Sequence, residues 1–197
     1  HILTTGTPGS GKTTLLNVMA LDDMRAGRPF LFIDPHGPAA DELIAHAHHL
    51  GRNPLVVDPL DGGAERLMLF PSSETENGGR RDLDRAVRDV ADAIASALPN
   101  PEWTGPRWFA TMTAVLELVA VHRAELVDAA IWLNDAEQLS RRLNHPAVSA
   151  TSRAVLSNLT RTADGADVRG WAASKLNPLV GGLARRVLAP AGSGADL

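Results

Sequence analysis

Eight consecutive residues near the start of the chain, Gly6-Thr7-Pro8-Gly9-Ser10-Gly11-Lys12-Thr13, fit the spacing G-x-x-x-x-G-K-[ST] of a phosphate-binding loop. The residue types follow from the chemistry. Glycines let successive backbone N–H groups turn inward around a β-phosphate, and a helix opening directly behind them adds its positive end. In such a loop Lys12 bridges β- and γ-phosphate oxygens, Thr13 places its hydroxyl on Mg²⁺, and Thr14 faces the α-phosphate. The candidate nucleotide-binding residues are therefore Gly6, Thr7, Pro8, Gly9, Ser10, Gly11, Lys12, Thr13 and Thr14, with Thr13 as metal ligand and ATP with Mg²⁺ as cofactor.

Hydrolysis needs a second carboxylate at a strand end to hold the metal and polarise water. Three apolar runs end in aspartate: Leu31-Phe32-Ile33-Asp34, Leu55-Val56-Val57-Asp58 and Ile131-Trp132-Leu133-Asn134-Asp135. None carries an Asp-Glu pair, so that pair is expected beyond Leu197. A strand beside the loop's own strand would bring Asp34 and His36 near the phosphates, which makes Asp34 the second candidate catalytic residue beside Lys12. The alternative is a turn in which Asp34 caps the following helix. A guanine-reading motif is missing, because the only other lysine is Lys175, in Ser174-Lys175-Leu176-Asn177. His46, His48 and His49 read as a solvated helix end rather than a metal site.

These groups need elements to hold them. His1 to Thr5 reads as a short strand, residues 12 to 26 as a helix closed by Gly27, and Pro29 to Ile33 as a strand buried on both faces. A second helix is expected from about Pro38 to Leu50, a third strand at Leu55 to Asp58 and a fourth at Arg66 to Phe70. Strands alternating with helices of this length imply an α/β fold with a parallel sheet. After the polar stretch Ser72 to Gly79 the period changes. Leu83, Val87, Val90, Ile94 and Leu98 mark an amphipathic helix, and Trp108, Met112, Val115 and Val119 mark another. Further helices are expected over 127–143, 147–161 and 167–188, the last interrupted by Pro178.

Composition narrows the class. With 197 residues, 44% hydrophobic and 21% charged, the chain can bury a core and is not of disordered type. It has no cysteine, which removes disulfides, thiolate zinc sites and a cysteine nucleophile. No apolar run reaches the roughly 18 residues that span a bilayer. Residues 1–79 carry 5 basic and 10 acidic side chains and residues 80–197 carry 14 and 13, so neither part is a polybasic nucleic-acid footprint. Arg80, Arg81, Arg85 and Arg88 cluster but are interleaved with Asp82, Asp84, Asp89 and Asp92, the pattern of a solvated face. A start at His1 inside a strand-like run and a Gly/Ala-rich end read as a fragment of a longer protein.

The run Thr5 to Thr14, followed some 20 residues later by Phe32-Ile33-Asp34-Pro35-His36-Gly37, resembles the HerA/FtsK-type DNA-pumping ATPases. Within them it is most similar to the coupling and motor ATPases of conjugation and type IV secretion. Val57-Asp58-Pro59, Leu67 to Phe70, Trp103-Thr104-Gly105-Pro106-Arg107 and Ser174 to Leu188 extend the resemblance with less specific matches. It implies a RecA-like P-loop NTPase core over residues 1–75, an all-helical insertion over 76–190, and a tail, 191–197, leading into the rest of the core. It also implies an ATPase coupled to DNA or protein translocation, assembled as a homo-hexamer with DNA as partner. The expected location is cytoplasmic, at the inner face of the membrane and joined to the secretion machinery through segments outside this sequence. Arg107 either faces a neighbouring subunit's site or forms an ordinary surface pair at a helix start. Two other classes compete: a nucleotide-gated interaction module that does not hydrolyse, and a small-molecule P-loop kinase with a helical lid.

Overall fold

The computed structural model describes residues 3–61, 65–70, 80–98 and 104–189. The chain divides into two compact units, His1–Val56 and Val57–Leu197. The first holds α1 (Lys12–Ala26) and α2 (Pro38–His49). The second holds β1 (Leu67–Met68), α3 (Arg80–Ala97), α4 (Pro106–Val121), α5 (Leu126–Asn134), α6 (Ala136–Arg142), α7 (Ala150–Arg161), α8 (Gly165–Val180), α9 (Gly182–Val187) and β2 (Leu188–Ala189).

The helices fall close to where periodicity puts them, with local reasons for their ends. Gly27, at φ 72°, closes α1, and its N–H returns to Met24 while that of Arg28 returns to Asp23. The helix expected over 127–143 is two, because the Asp135 carboxylate accepts the amides of Glu137 and Gln138 and starts α6 there. Capping hydrogen bonds hold the Asp135 carboxyl below its ordinary range, that from the Gln138 amide foremost.

The expected RecA-like parallel sheet is not present among the described residues. Strand pairing among the described residues is confined to β1 and β2, parallel, with Leu67 opposite Leu188 and Met68 opposite Ala189. Residues 3–5, 29–33 and 55–58 form no strand ladder, and Leu3, Leu31 and Ile33 are 89%, 70% and 79% exposed. A continuous apolar run is a buried strand only when neighbouring strands accept its amides and helices cover both faces. Here α1 and α2 pack on each other around Ala20, Met24, Leu43 and Ala47, a core too small to cover those runs. Leu15, Leu16, Val18 and Met19 are exposed, while Asn17 and Ala20 are buried. Leu188, expected in a helix, instead pairs with Leu67, and the Arg66 guanidinium donates to the carbonyls of Arg185 and Leu188 beside it.

The second unit buries one larger core, with Trp108, Met112, Leu116, Leu133, Leu156 and Leu176 at its centre. Buried in its wall is Glu117 of α4, whose carboxylate accepts the amide of Ser149 at 2.6 Å and the hydroxyls of Ser149 and Ser152 at 2.8 and 2.6 Å. Arg80 of α3 completes it at 2.6 Å and also donates to the carbonyl of Ala147. One carboxylate therefore joins α3 and α4 to the start of α7. Burial alone raises the Glu117 carboxyl, but the hydrogen bonds from Ser152, Ser149 and Arg80 outweigh it and leave it below 4.5.

Replacing Glu117 with Leu strands the two serine hydroxyls and Arg80, and the expected loss is about 3 kcal/mol, moderated because Arg80 is half-exposed. Because the folded value is the lower one, the carboxylate's contribution is present above about pH 4.5 and fades as pH falls through the folded value. Urea unfolding of wild type and Glu117→Leu at pH 7 and pH 3.5 checks both: the difference between them should narrow at the lower pH.

Candidate functional site

The loop that precedes α1 is shaped by three glycines. Gly9 and Gly11 sit at φ 79° and 81°, left-handed positions that cost other residues roughly 1–2 kcal/mol. At Gly6 the constraint is space, since a Cβ would lie 2.5 Å from Ser10 Oγ. The turn is closed by the amide of Ser10 donating to Thr7 O at 3.2 Å. Lys12, the first residue of α1, folds back over it. Its ammonium donates to Gly6 O and Thr7 O, both at 2.8 Å.

The start of α1 is electropositive and open. Gly11 supplies no capping side chain, the first turn contains no acidic residue, and the first intrahelical amide with an acceptor is that of Leu15, bonded to Gly11 O. Among the described residues no acceptor takes the amides of Lys12, Thr13 and Thr14, and both threonines are exposed. Amides without acceptors at a helix start, with an ammonium beside them, make a site for an anion.

The start of α2 is the opposite case. Asp34 Oδ2 accepts the amides of Ala39 and Ala40 at 2.9 and 3.1 Å, its Oδ1 accepts that of His36 at 2.9 Å, and Asp41 N bonds Gly37 O. Pro38 has no amide to satisfy. Those bonds, that from the His36 amide foremost, hold the Asp34 carboxyl below its ordinary range. The geometry is thus that of the helix cap which the sequence left open as the alternative to a catalytic carboxylate. His36 contributes its backbone amide to that turn, and its side chain is exposed.

The two helix starts are tied together. Asn17 Nδ2 donates to Glu42 Oε2 at 2.8 Å, one hydrogen bond across α1 and α2. At 1.5 Å rise per residue, Asn17 is about 7.5 Å along the axis from Lys12, and Glu42 about 6 Å from Pro38. The glycine loop and the Asp34 turn therefore each lie within two helical turns of the same bond. Sequence reasoning passed over this pair, although Asn17 is the one polar residue in the run Leu15-Leu16-Asn17-Val18-Met19-Ala20.

The remaining candidates lie outside this arrangement. His46, His48 and His49 occupy the last turn of α2, where a helix end favours cations, and among the described residues no cluster of three His, Asp or Glu is placed to hold a metal. Arg107 pairs with Asp164 at 2.6 Å on the surface of the second unit, and that contact depresses the Asp164 carboxyl. On α3, Arg80 and Arg85 pair with Asp84 and Asp89 of the same helix. A cleft of about 480 Å³ in the second unit is lined by His122, Asp135, Glu137, Gln138, Arg141 and Arg142. Its charges answer one another: Arg141 pairs with Glu137, and Arg142 lies over the Trp132 ring. Trp103 and residues 1–2, 71–79 and 190–197 fall outside the described residues. No described helix is long and apolar enough to cross a membrane.

No protein-family model matches the chain, and no curated protein or solved structure matches it.

If Asp34 serves as the cap of α2, Asp34→Ala frees the amides of Ala39 and Ala40. Their hydrogen exchange should accelerate while that of Leu43 to Ala47, deeper in the helix, changes less. In wild type the same acceleration should appear as pH falls below about 3.8, through the lowered folded value, after correction for the intrinsic pH dependence of exchange.

Proposed function

We propose that residues 6–14 bind the polyphosphate of ATP with Mg²⁺, and that the chain is the ATP-binding part of an ATP-driven translocase of the conjugative or type IV secretion kind. The observation that carries nucleotide binding is the open, electropositive start of α1, with Lys12 as its first residue and three amides lacking acceptors. A phosphate there would take the amides of Lys12 to Thr14 and compete with Gly6 O and Thr7 O for the ammonium. Thr13 would supply a hydroxyl to hold Mg²⁺, whose charge would offset that of the phosphates. The glycines hold the loop open to the ligand. Gly6 lets Ser10 fold beneath it, and Gly9 and Gly11 supply the left-handed turns that aim the chain into α1.

The translocase half of the proposal rests on the resemblance carried by Thr5 to Thr14 and Asp34-Pro35-His36-Gly37. A homo-hexamer, DNA as partner and the secretion machinery follow from that resemblance alone. A nucleotide-gated module without hydrolysis is the second reading. It is favoured by the engagement of Asp34, whose two oxygens already accept three backbone amides and are poorly placed to polarise water.

Lys12→Ala should weaken Mg·ATP binding by at least tenfold, read by titration with a fluorescent ATP analogue, with the thermal midpoint moved by less than about 2 °C because the ammonium is bonded only to its own loop. Unchanged affinity would refute nucleotide binding here. ATP hydrolysis by the intact, oligomeric protein that rises on adding DNA supports the translocase; tight binding without turnover supports the gated module.

A further inference from the structure

Three features of α1 belong together. It is bounded by left-handed glycines at both ends, Gly11 and Gly27, at φ 81° and 72°. Its apolar residues Leu15, Leu16, Val18 and Met19 are exposed, so within its own unit the helix is held chiefly by α2. The core it shares with α2 contains two alanines among its four buried residues, and small smooth side chains resist rotation and sliding weakly. Against that background a single polar tie sets how α1 sits on α2. Asn17 is 8% exposed, its Nδ2 donates to Glu42 Oε2, and its buried Oδ1 has no partner. A buried amide with one contact fulfilled and one lone is justified by register rather than by stability, since a leucine there would bury more apolar surface at no desolvation cost.

We infer that the Asn17–Glu42 hydrogen bond is the link through which occupancy of the glycine loop is transmitted to the Asp34 turn. This inference rests on the nucleotide-binding reading of residues 6–14. The loop supplies the two-state element that such coupling requires. Without an anion, Lys12 ties the first turn of α1 to Gly6 O and Thr7 O; with phosphate present, the ammonium and the first amides of α1 turn to the ligand. That exchange acts on the first residue of a helix whose far end is closed by the left-handed Gly27. Five residues on, Asn17 passes any displacement to Glu42, four residues from the start of α2. The amides that would register it are those of Ala39 and Ala40, held by Asp34. Asn17 and Glu42 are positioning residues in this scheme, and neither touches the phosphate.

The experiment is amide hydrogen exchange at residues 36–41 of the whole chain, with and without saturating Mg·ATP, in wild type, Asn17→Leu, Glu42→Ala and Glu42→Gln. Nucleotide should change exchange at Ala39 and Ala40 at least threefold in wild type and in Glu42→Gln, whose carbonyl still accepts from Asn17 while its amide can reach the orphaned Oδ1. In Asn17→Leu and Glu42→Ala the change should fall below 1.5-fold, at nucleotide concentrations raised until the loop is saturated. Asn17→Leu keeps the buried position filled, and Glu42 is exposed, so thermal unfolding should show all variants folded; if Asn17→Leu does not fold, Glu42→Ala by itself still distinguishes the outcomes. A response in Glu42→Ala equal to that of wild type overturns the link, as does its loss in Glu42→Gln. A wild type that binds Mg·ATP without any response at Ala39 and Ala40 overturns the link while leaving the nucleotide site standing. A wild type that binds no nucleotide, or a Lys12→Ala control that binds equally well, overturns the site and the link with it.

Discussion

A lysine at the first position of a helix is misplaced by ordinary electrostatics, because the helix start is the positive end of the backbone dipole. The penalty is of the order of 0.3–1 kcal/mol, and nothing acidic in the first turn of α1 offsets it. Lys12 is held there by two carbonyls of its own loop, which the left-handed Gly9 and Gly11 let double back so tightly. The arrangement satisfies the ammonium but leaves three amides open beside it. An anion would relieve both the lysine and the amides, which is why the functional reading converges on this corner.

The contrast between the two helices of the first unit shows how one physical demand can have two solutions. Both must deal with the amides that a helix start leaves without acceptors. At α2 an aspartate from the preceding turn takes two of them, a proline removes a third and Gly37 O takes the fourth. That end is closed. Asp34 consequently belongs to the framework that positions α2, and the amides it accepts hold its carboxyl low. A perturbed acid near a candidate site is informative only after its hydrogen bonds have been assigned.

In the second unit charged side chains, two of them buried, tie helix ends together. Glu117 gathers the start of α7 and Arg80; Arg153 donates to the carbonyls of Leu143, His145 and Val148 along the α6–α7 connection; and Arg169, buried, donates to Leu133 O and Leu159 O where α5 and α7 end. Each side chain replaces water at backbone groups that a helix terminus cannot satisfy internally. Arg80 shares in this through the carbonyl of Ala147, whereas Arg107 pairs with the Asp164 side chain on the surface.

Helices were legible along the chain because their causes are local, the spacing of Leu83, Val87, Val90 and Ile94 and the left-handed Gly27 among them, while the break that the Asp135 cap makes between α5 and α6 was not. The glycine loop was legible for the same reason, since its turns and the lysine that closes it lie within seven residues. The parallel sheet was not, because an apolar run such as Phe30 to Ile33 becomes a strand only if distant segments come to lie beside it, and its composition is silent on whether they do. Tertiary structure also decided that α1 faces α2 with Asn17, Ala20 and Met24 rather than with Leu15 and Leu16, that Leu67 pairs with Leu188 across the helical block, and that the Asp34 carboxylate is engaged by α2. Those outcomes depend on which surfaces meet, a property of the packed chain and not of any window of sequence.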